Sequence, residues 1–246
     1  MSLDIPILFE DDAMVVVNKP PGIVVNRAQS VKGETVQDWA QQRLPVTDGQ
    51  ADIPENRKDF FDRAGIVHRI DKETSGILLI AKTPEAFSEL QRQFRQRLIH
   101  KTYLALIHGH LVPEIGEINA PVDRLPWNRE RFGIVPGGKE SITKYMVKSS
   151  WTEAHGKTQE VYSLVELYPE SGRTHQLRVH MKYIGHPILG DYLYAGRKTA
   201  RADRLWAPRV MLHAWKLSCT HPTSGSSLAF EAPIPDDMNT IIHGHA

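Results

Sequence analysis

The chain has 246 residues, of which 41% are hydrophobic and 24% charged, and its 30 basic and 29 acidic residues give a net charge of +1. This composition predicts a soluble globular protein, and it excludes a disordered chain. Cys219 is the only cysteine, which excludes a disulfide scaffold or a zinc site of several thiolates and predicts a buried thiol in a reducing, cytoplasmic setting without a membrane-spanning segment.

The first half of the chain contains two predicted strands and two predicted helices. Residues 14–19 read as a buried strand that ends at the turn Pro20-Pro21-Gly22, and residues 77–81 read as a central strand. Residues 33–44 have the apolar spacing of one helix face. A second helix is expected to start at Thr83 with a capping oxygen and to bury four apolar residues. They are Phe87, Leu90, Phe94 and Leu98.

The second half predicts further strands at 103–108, 143–148, 161–168 and 214–220, and a helix over 174–184 that Gly185 ends. The stretches 45–62, 126–142 and 196–209 are predicted to be loops, and the first two are either plain surface loops or substrate-specific insertions. Neither a strict βαβα order nor a glycine-rich phosphate loop is present, so a nucleotide-binding fold is disfavoured. We therefore predict an α+β fold, a single domain over 1–246 with a mixed, largely antiparallel central sheet flanked by helices.

The charges are unevenly distributed although their sum is close to zero. Basic residues without an acid occupy 91–102 and 173–186, and five basic residues with the single acid Asp203 occupy 197–209. The acids collect mainly near the two ends and around 153–170. Such segregation favours a polarised surface, for which a polyanion is a candidate partner.

The segment from His68 to Gly76 is the first that could contribute chemistry. Asp71 lies between Arg69 and Lys72 in sequence, directly before the predicted central strand. A nearby cation keeps a carboxylate ionised, which suits a nucleophile or a base. The alternative is a loop that an ordinary surface ion pair holds in place.

The segment from Gly172 to His180 is the second. Its residue types suit recognition of phosphate or carboxylate, and helical spacing would make His175 and Arg178 neighbours. A metal site on His175, His180 and His186 is the rival reading, but the segment lacks an acid and the spacing does not match a zinc helix. Histidines that are hydrogen-bonded within the fold are favoured. Tyr103, which opens a strand, is either a packing residue or a flat face for a base.

These segments closely resemble the signature motifs of RluA-type pseudouridine synthases. The resemblance extends over about residues 5–235, and a kinase reading of His68-Arg69-Ile70-Asp71 fails because the other kinase motifs are absent. Further matching blocks occur in the family's order. They are Val17 to Gly22, Lys101 to Ala105, Gly185 to Asp191, and Met211 to Ala214.

The resemblance implies an enzyme that isomerises particular uridines in structured ribosomal or transfer RNA, without a cofactor or a metal. Asp71 matches the essential aspartate, and Arg178 matches the arginine that pairs with it. Leu177 and Tyr103 match the residues that contact the target base. Arg69 matches the arginine that fills the stack once the base has flipped out, a step that costs a few kcal/mol.

Several further expectations accompany this reading. Residues expected to contact substrate are His68, Thr74, Arg173 and His175. RNA binding is expected to rest on the basic segments 91–102, 173–182 and 197–209. The surface residues named for it are Arg92, Arg95, Arg97, Lys101 and Lys182. We also expect a monomer that binds an RNA stem-loop and has no N-terminal S4-type domain. Two other functions remain open, namely an RNA-binding protein or chaperone on the same fold and a histidine-metal hydrolase.

Overall fold

A computed structural model describes residues 3–43, 55–155 and 158–244. The chain groups into two compact units. The first unit is drawn from Met1–His100 and Lys216–Ala232, and the second from Lys101–Trp215 and Pro233–Ala246. Each unit combines antiparallel strands with helices, so the predicted α+β class is confirmed. That the whole chain forms one domain stays a prediction.

The first unit contains three antiparallel strands in the order β1-β2-β3, together with three helices and the pairing of the last two strands of the chain. Residues Lys216 to Thr220 of β10 pair with β11. Its elements are β1 (Ile7–Glu10), β2 (Met14–Lys19), α1 (Val36–Arg43), α2 (Glu55–Asp62), β3 (Ser75–Ala81), α3 (Pro84–Arg95), part of β10 (Leu212–Thr220) and β11 (Ser227–Glu231).

Strand β3 is the centre of the first unit's core. All seven of its residues are buried, as expected for the continuous apolar run that predicted a central strand. Helix α3 packs beside it and places Phe87 edge-on to Phe60, with ring centroids 5.8 Å apart. Cys219 is buried in the same cluster, and burial raises the pKa of its thiol to about 11. The predicted buried thiol is confirmed.

The second unit contains a four-stranded antiparallel arrangement in the order β4-β9-β8-β5, a separate two-stranded hairpin, and three helices. Its elements are β4 (His100–His108), β5 (Ile115–Asn119), β6 (Val122–Leu125), β7 (Asn128–Ile134), β8 (Ile142–His155), β9 (Thr158–Pro169), α4 (Gln176–Tyr183), α5 (Arg197–Asp203), the first part of β10, and α6 (Asp236–His243).

Helix α4 inserts its apolar side into the core of the second unit. Leu177 and Met181 join the main cluster there, as the predicted helix 174–184 requires, and Val179 packs with Val122 and Tyr194 in a smaller cluster. Gly185 has a φ of +88° just after the helix and ends it in the expected way. The helix that carries Arg178 is therefore held on both sides.

The three predicted loops contain regular structure that the sequence reading missed. Residues 128–134 form β7, whose mostly polar sequence gives no strand pattern, and its Phe132 and Ile134 pack against the cluster of Val122, Val179 and Tyr194. Residues 197–203 form α5, which buries only Ala200 and Asp203 and so has no apolar stripe. Residues 55–62 form α2, and the rest of the predicted loop 45–62 lies outside the described residues.

The buried stripe predicted for α3 is wrong at its last position. Thr83 does cap the helix, since its hydroxyl oxygen accepts from the Ala86 N–H at 3.1 Å. The helix ends at Arg95, however, and Arg97 has a φ of +59°, so Leu98 leaves the stripe and is 48% exposed. Gln93 is fully buried instead, because its amide pairs with the backbone of Thr220 in both directions.

Helices long and apolar enough to cross a bilayer do not occur among the residues that the structure describes.

Candidate functional site

The loop of residues 68–74, here called the aspartate loop, leads into β3 and is fastened at its beginning by His68. The Leu79 N–H donates to Nε2 of His68 at 2.9 Å. Because Nε2 accepts this bond it has no hydrogen, and the ring N–H is on Nδ1. The ring also lies 4.7 Å from the ring of Phe94 on α3. This gives His68 a structural role in the first unit, and its expected contact with substrate stays a prediction.

Lys19 fastens the middle of the aspartate loop. Its side chain is fully buried at the end of β2, and Nζ donates to the carbonyl oxygens of Pro20 at 2.8 Å, Ile23 at 3.0 Å and Lys72 at 3.1 Å. The Gly22 N–H donates to the same Lys72 oxygen at 2.8 Å. Buried cations need such partners. The block from Val17 to Gly22 therefore holds the backbone one residue after Asp71.

Asp71 itself opens a tight turn. The Thr74 N–H donates to the Asp71 carbonyl oxygen at 3.2 Å, and Thr74 is buried at the far end of the turn. The Asp71 side chain is half-buried, whereas Arg69 is exposed. The loop thus presents a partly accessible carboxylate and an exposed guanidinium on a backbone that the bonds from Lys19, Gly22 and Thr74 hold.

Arg178 forms the central ion pair of the second unit. Its Nε donates to Oδ2 of Asp191 at 2.7 Å and its Nη2 to Oδ1 at 2.9 Å, and both side chains are buried. Asp191 Oδ1 also accepts from the N–H groups of Leu193 and Tyr194. The guanidinium lies 5.0 Å from the centroid of the Tyr194 ring. Asp191 therefore orients Arg178, a role that the sequence analysis did not assign.

A buried polar network fixes the start of α4. The Gln176 amide nitrogen donates to the Ile142 carbonyl at 3.0 Å and to the Thr143 hydroxyl at 3.1 Å, and its oxygen accepts from the Ser171 hydroxyl at 2.8 Å. Next to it, His180 bonds through Nδ1 to the Thr143 hydroxyl at 2.9 Å. Each member has a hydrogen-bond partner, so the network gives this part of the unit a defined geometry.

The three histidines considered as metal ligands are hydrogen-bonded within the fold, as favoured. His180 donates through Nε2 to the Ala120 carbonyl at 3.0 Å, and burial lowers the pKa of its imidazole. His175 contacts the Tyr194 hydroxyl at 2.9 Å, and His186 contacts the His108 carbonyl at 2.9 Å. Across the described ranges, no group of three or more His, Cys, Asp and Glu side chains is placed to hold a metal ion.

His175 does not lie on the helix with Arg178, contrary to the expected helical spacing. The helix begins at Gln176, and His175 precedes it with a φ of +57°, a left-handed conformation that is uncommon for residues other than glycine. The ring stands edge-on to Phe132 and to Tyr194. The Phe132 N–H donates to the Tyr194 hydroxyl at 3.2 Å, and the same hydroxyl contacts His175 Nδ1. Tyr194 therefore holds both His175 and β7.

The remaining predicted residues of the second unit have different surroundings. Tyr103 is half-buried on β4 and packs against the main core, which also contains Leu177. Lys101 is half-buried with Nζ 3.5 Å from the Ser171 carbonyl oxygen, and burial lowers the pKa of its ammonium to about 8. Arg173 and Lys182 are exposed.

The predicted RNA-binding residues of α3 are exposed, but one of them is already paired. Arg92 contacts the Glu89 carboxylate at 2.6 Å and also bonds to Gln96. Arg95 Nη1 lies 3.5 Å from the Gln91 amide oxygen. Arg97 is exposed just after the helix. An RNA contact at this face stays a prediction.

The structure thus gathers the predicted residues into two groups. His68, Arg69, Asp71 and Thr74 belong to the aspartate loop of the first unit, and Tyr103, Arg173, His175, Leu177 and Arg178 belong to the second unit. The pairing of Asp71 with Arg178 that the resemblance implies stays a prediction. Three supporting residues, Lys19, Asp191 and Tyr194, were not predicted from the sequence, although the first two lie inside the quoted motif blocks.

Comparison with known proteins identifies the family. The family model described as RNA pseudouridylate synthase matches residues 13–183. The chain is 39% identical over 245 residues to the ribosomal large subunit pseudouridine synthase D of Nitrosomonas europaea, covering 98% of this chain and 65% of that protein. It is 36% identical over 240 residues to the uncharacterized RNA pseudouridine synthase YlyB of Bacillus subtilis, covering 98% of this chain and 72% of that protein.

A solved structure agrees with these matches. Human RNA pseudouridylate synthase domain containing 1 superimposes with a TM-score of 0.71 at 28% identity, covering 94% of this chain and 83% of that one. The chain spans less than two thirds of the length of some curated relatives, such as 65% of the Nitrosomonas protein and 61% of the Neisseria meningitidis serogroup A protein. The matched motifs and the shared fold show that the chain belongs to the RNA pseudouridylate synthase family.

Proposed function

We propose that the chain isomerises specific uridines in structured RNA to pseudouridine. The observation that carries the proposal is the family match over residues 13–183, which includes Asp71, Tyr103 and Arg178. In this reaction the bond between ribose C1′ and uracil N1 breaks, the uracil turns, and a bond from C1′ to C5 forms. N1 gains a proton and C5 loses one, so no oxidant, reductant or external group is needed.

Asp71 is proposed to supply the carboxylate that this reaction requires. A carboxylate can act as the nucleophile, stabilise an oxocarbenium-like ribose or accept a proton. The aspartate loop supports this role, because Lys19 and Gly22 hold the Lys72 carbonyl and thereby restrict the peptide next to Asp71. A carboxylate on a restrained backbone needs little reorganisation when the substrate reacts.

Tyr103 and Leu177 are proposed to contact the target base, and Arg178 is proposed to take part in catalysis. A tyrosine ring and an aliphatic side chain offer a flat and an apolar face for a flipped uracil. The bidentate Asp191 pair orients Arg178 in the second unit, so its guanidinium is preorganised. Arg69 is exposed on the aspartate loop, and its planar guanidinium suits the place of the flipped base in the RNA stack.

The substrate is proposed to be a stem-loop of large-subunit ribosomal RNA, on which the Nitrosomonas and Neisseria relatives are named as acting. Arg173, His175, Thr74 and His68 are proposed to contact it near the target. The chain is proposed to act as a monomer in the cytoplasm, without a metal or a cofactor.

Pseudouridine mapping tests the function directly. RNA from cells that lack the protein is treated with the purified protein or with Asp71→Asn, labelled with carbodiimide and read by reverse transcription. New sites in ribosomal RNA that appear only with the unsubstituted protein are the expected result. No new site in ribosomal or transfer RNA would overturn the proposed activity, and sites made equally well by Asp71→Asn would overturn the role of Asp71.

A further inference from the structure

The helix α5, with the residues on either side of it, forms a strongly cationic surface in the second unit. Arg197, Lys198 and Arg201 are exposed on it. In the part of the chain that the structure describes, no hydrogen bond or ion pair involves these three side chains. Arg201 is four residues from Arg197 and three from Lys198, so the like charges are neighbours on one side of the helix and destabilise it.

The nearby acids do not neutralise this surface. Asp203 is the only acid between residues 197 and 209, and it is buried, where its carboxylate accepts from the Gly190 N–H at 2.9 Å and contacts His108 Nε2 at 3.1 Å. Asp237 forms a bidentate pair with Arg209 at 2.6 and 2.9 Å. Both carboxylates are engaged elsewhere, and Arg197, Lys198 and Arg201 are exposed without an ion pair to any residue in the described ranges.

The surface is fastened to the segment that orients Arg178. Arg204, at the end of α5, donates through Nε to the Gly190 carbonyl at 2.8 Å, and its guanidinium lies 4.5 Å from the centroid of the Tyr192 ring. Asp203 holds the other side of Gly190 through its N–H. The next residue is Asp191, which pairs with Arg178. One rigid segment therefore connects the cationic surface to the Arg178 site.

We propose that Arg197, Lys198 and Arg201 bind phosphates of the RNA that flank the target uridine. That the partner is RNA rests on the proposed function. The inference adds the surface of this chain that binds it. Charge complementarity supports RNA as the occupant. Its phosphates would neutralise the three cations, which have no acidic partner on α5 and repel one another. The α3 face is a weaker candidate, since Arg92 is already neutralised by Glu89.

The fold also gives a reason for the placement of these charges. The segment from Gly190 to Tyr192 contacts both Arg178 and the end of α5, so the cationic surface and Arg178 are linked through the same short stretch of chain. Contacts to phosphate fix the position and orientation of a nucleic acid without reading its sequence. The α5 surface therefore determines how tightly the RNA is held, while the chemistry depends on other residues.

The test compares the triple variant Arg197→Ala, Lys198→Ala, Arg201→Ala with the unsubstituted full chain. Binding of transcribed large-subunit ribosomal RNA is measured over a salt series, and pseudouridine formation on the same RNA gives KM and kcat. We expect affinity to fall about 10- to 30-fold near 0.1 M salt and the logarithmic salt slope to decrease by about 2. KM should rise in parallel and kcat should change less than about twofold.

A matched control removes the same number of charges from exposed ion pairs of the first unit. Arg57, Arg63 and Lys216 pair with Glu85, Asp59 and Glu231 at 2.9, 3.5 and 3.3 Å. The triple alanine variant of these residues should leave the salt slope unchanged. Thermal unfolding serves as a second readout, because alanines in α5 remove repulsion and favour the helix, so the test variant should melt no lower than the unsubstituted protein.

The possible results are distinct. An unchanged salt slope and KM in the α5 variant would overturn the inference, and so would a decrease equal to that of the control. A lower melting temperature together with a lower kcat would also overturn it by showing a structural role. If the unsubstituted protein formed no pseudouridine, the proposed function would fail, whereas the binding measurements would still decide whether α5 binds RNA.

Discussion

Removal of the Asp191 carboxylate is expected to destabilise the second unit strongly. Asp191 is fully buried and Arg178 is 7% exposed, and their pair is bidentate at 2.7 and 2.9 Å. A buried ion pair contributes little more to the free energy of unfolding than an apolar replacement of both residues. Deleting one partner, however, leaves the other charge buried and unpaired, which costs about 3–5 kcal/mol. Asp191→Ala also deprives the Leu193 and Tyr194 N–H groups of their acceptor. We expect a loss of about 4 kcal/mol.

Urea unfolding and thermal melts followed by circular dichroism measure this loss. For a chain of this size, about 4 kcal/mol corresponds to a decrease in Tm of about 8–16 °C. Asp191→Asn should lose less, because its amide oxygen still accepts from the backbone N–H groups. Glu231→Ala is the control, since its pair with Lys216 is exposed and 3.3 Å long and should contribute less than about 1 kcal/mol.

A loss below about 1 kcal/mol for Asp191→Ala would refute the reasoning. It would show that the buried charge of Arg178 does not need the Asp191 carboxylate to balance it. A loss in Asp191→Ala matched by an equal loss in Glu231→Ala would refute it as well, because burial would then not distinguish the two pairs.

Three further predictions concern a turn, a buried cation and an anchor. Gly190→Ala should destabilise more than Gly185→Ala, since both have positive φ but only a Cβ at Gly190 would meet a backbone oxygen, that of Arg209 at 2.0 Å; equal losses in urea unfolding would contradict this. The pKa of Lys101 is lowered to about 8 from 10.5, so the unfolded chain binds more protons between these values and stability should rise with pH there. Lys101→Met should abolish that rise in unfolding series at several pH values and stabilise the protein at pH 7, whereas a rise that persists would contradict the assignment. Tyr194→Phe should cost about 1–2 kcal/mol, because the Phe132 N–H and His175 Nδ1 lose their partner while the ring remains; unchanged stability would contradict it.

Local patterns were sufficient for most elements of the fold. The apolar run at β3, the cap at Thr83 and the stop at Gly185 all depend on neighbours in sequence, and each is found where it was predicted. Strand β7 and helix α5 were missed because neither has an apolar periodicity to detect. The partly buried Phe132 and Ile134 of β7 pack against a small cluster, and α5 buries Ala200 and Asp203. Leu98 was misplaced because a left-handed residue at Arg97 ends the helical period.

The residues of the candidate site also differ in whether neighbours in sequence are sufficient to predict them. Asp71, Tyr103 and Arg178 could be proposed because each lies in a contiguous motif that resembles one of the family. Lys19 could not, because its bond to the Lys72 carbonyl joins the end of β2 to the aspartate loop, 53 residues further along the chain. Asp191 and Tyr194 were missed for the same reason, since the pair with Arg178 and the contacts of the Tyr194 hydroxyl form only when α4, β7 and the segment after Gly190 pack together.

Tritium release from RNA labelled at C5 of uridine tests the central claim most directly. Formation of the bond from C1′ to C5 requires that the C5 hydrogen leave, so each isomerisation transfers one tritium to water. Large-subunit ribosomal RNA with this label should lose tritium with the unsubstituted protein and keep it with Asp71→Asn, while both proteins bind the RNA equally. Equal release by Asp71→Asn, or no release by the unsubstituted protein, would contradict the claim that this chain isomerises uridine through Asp71.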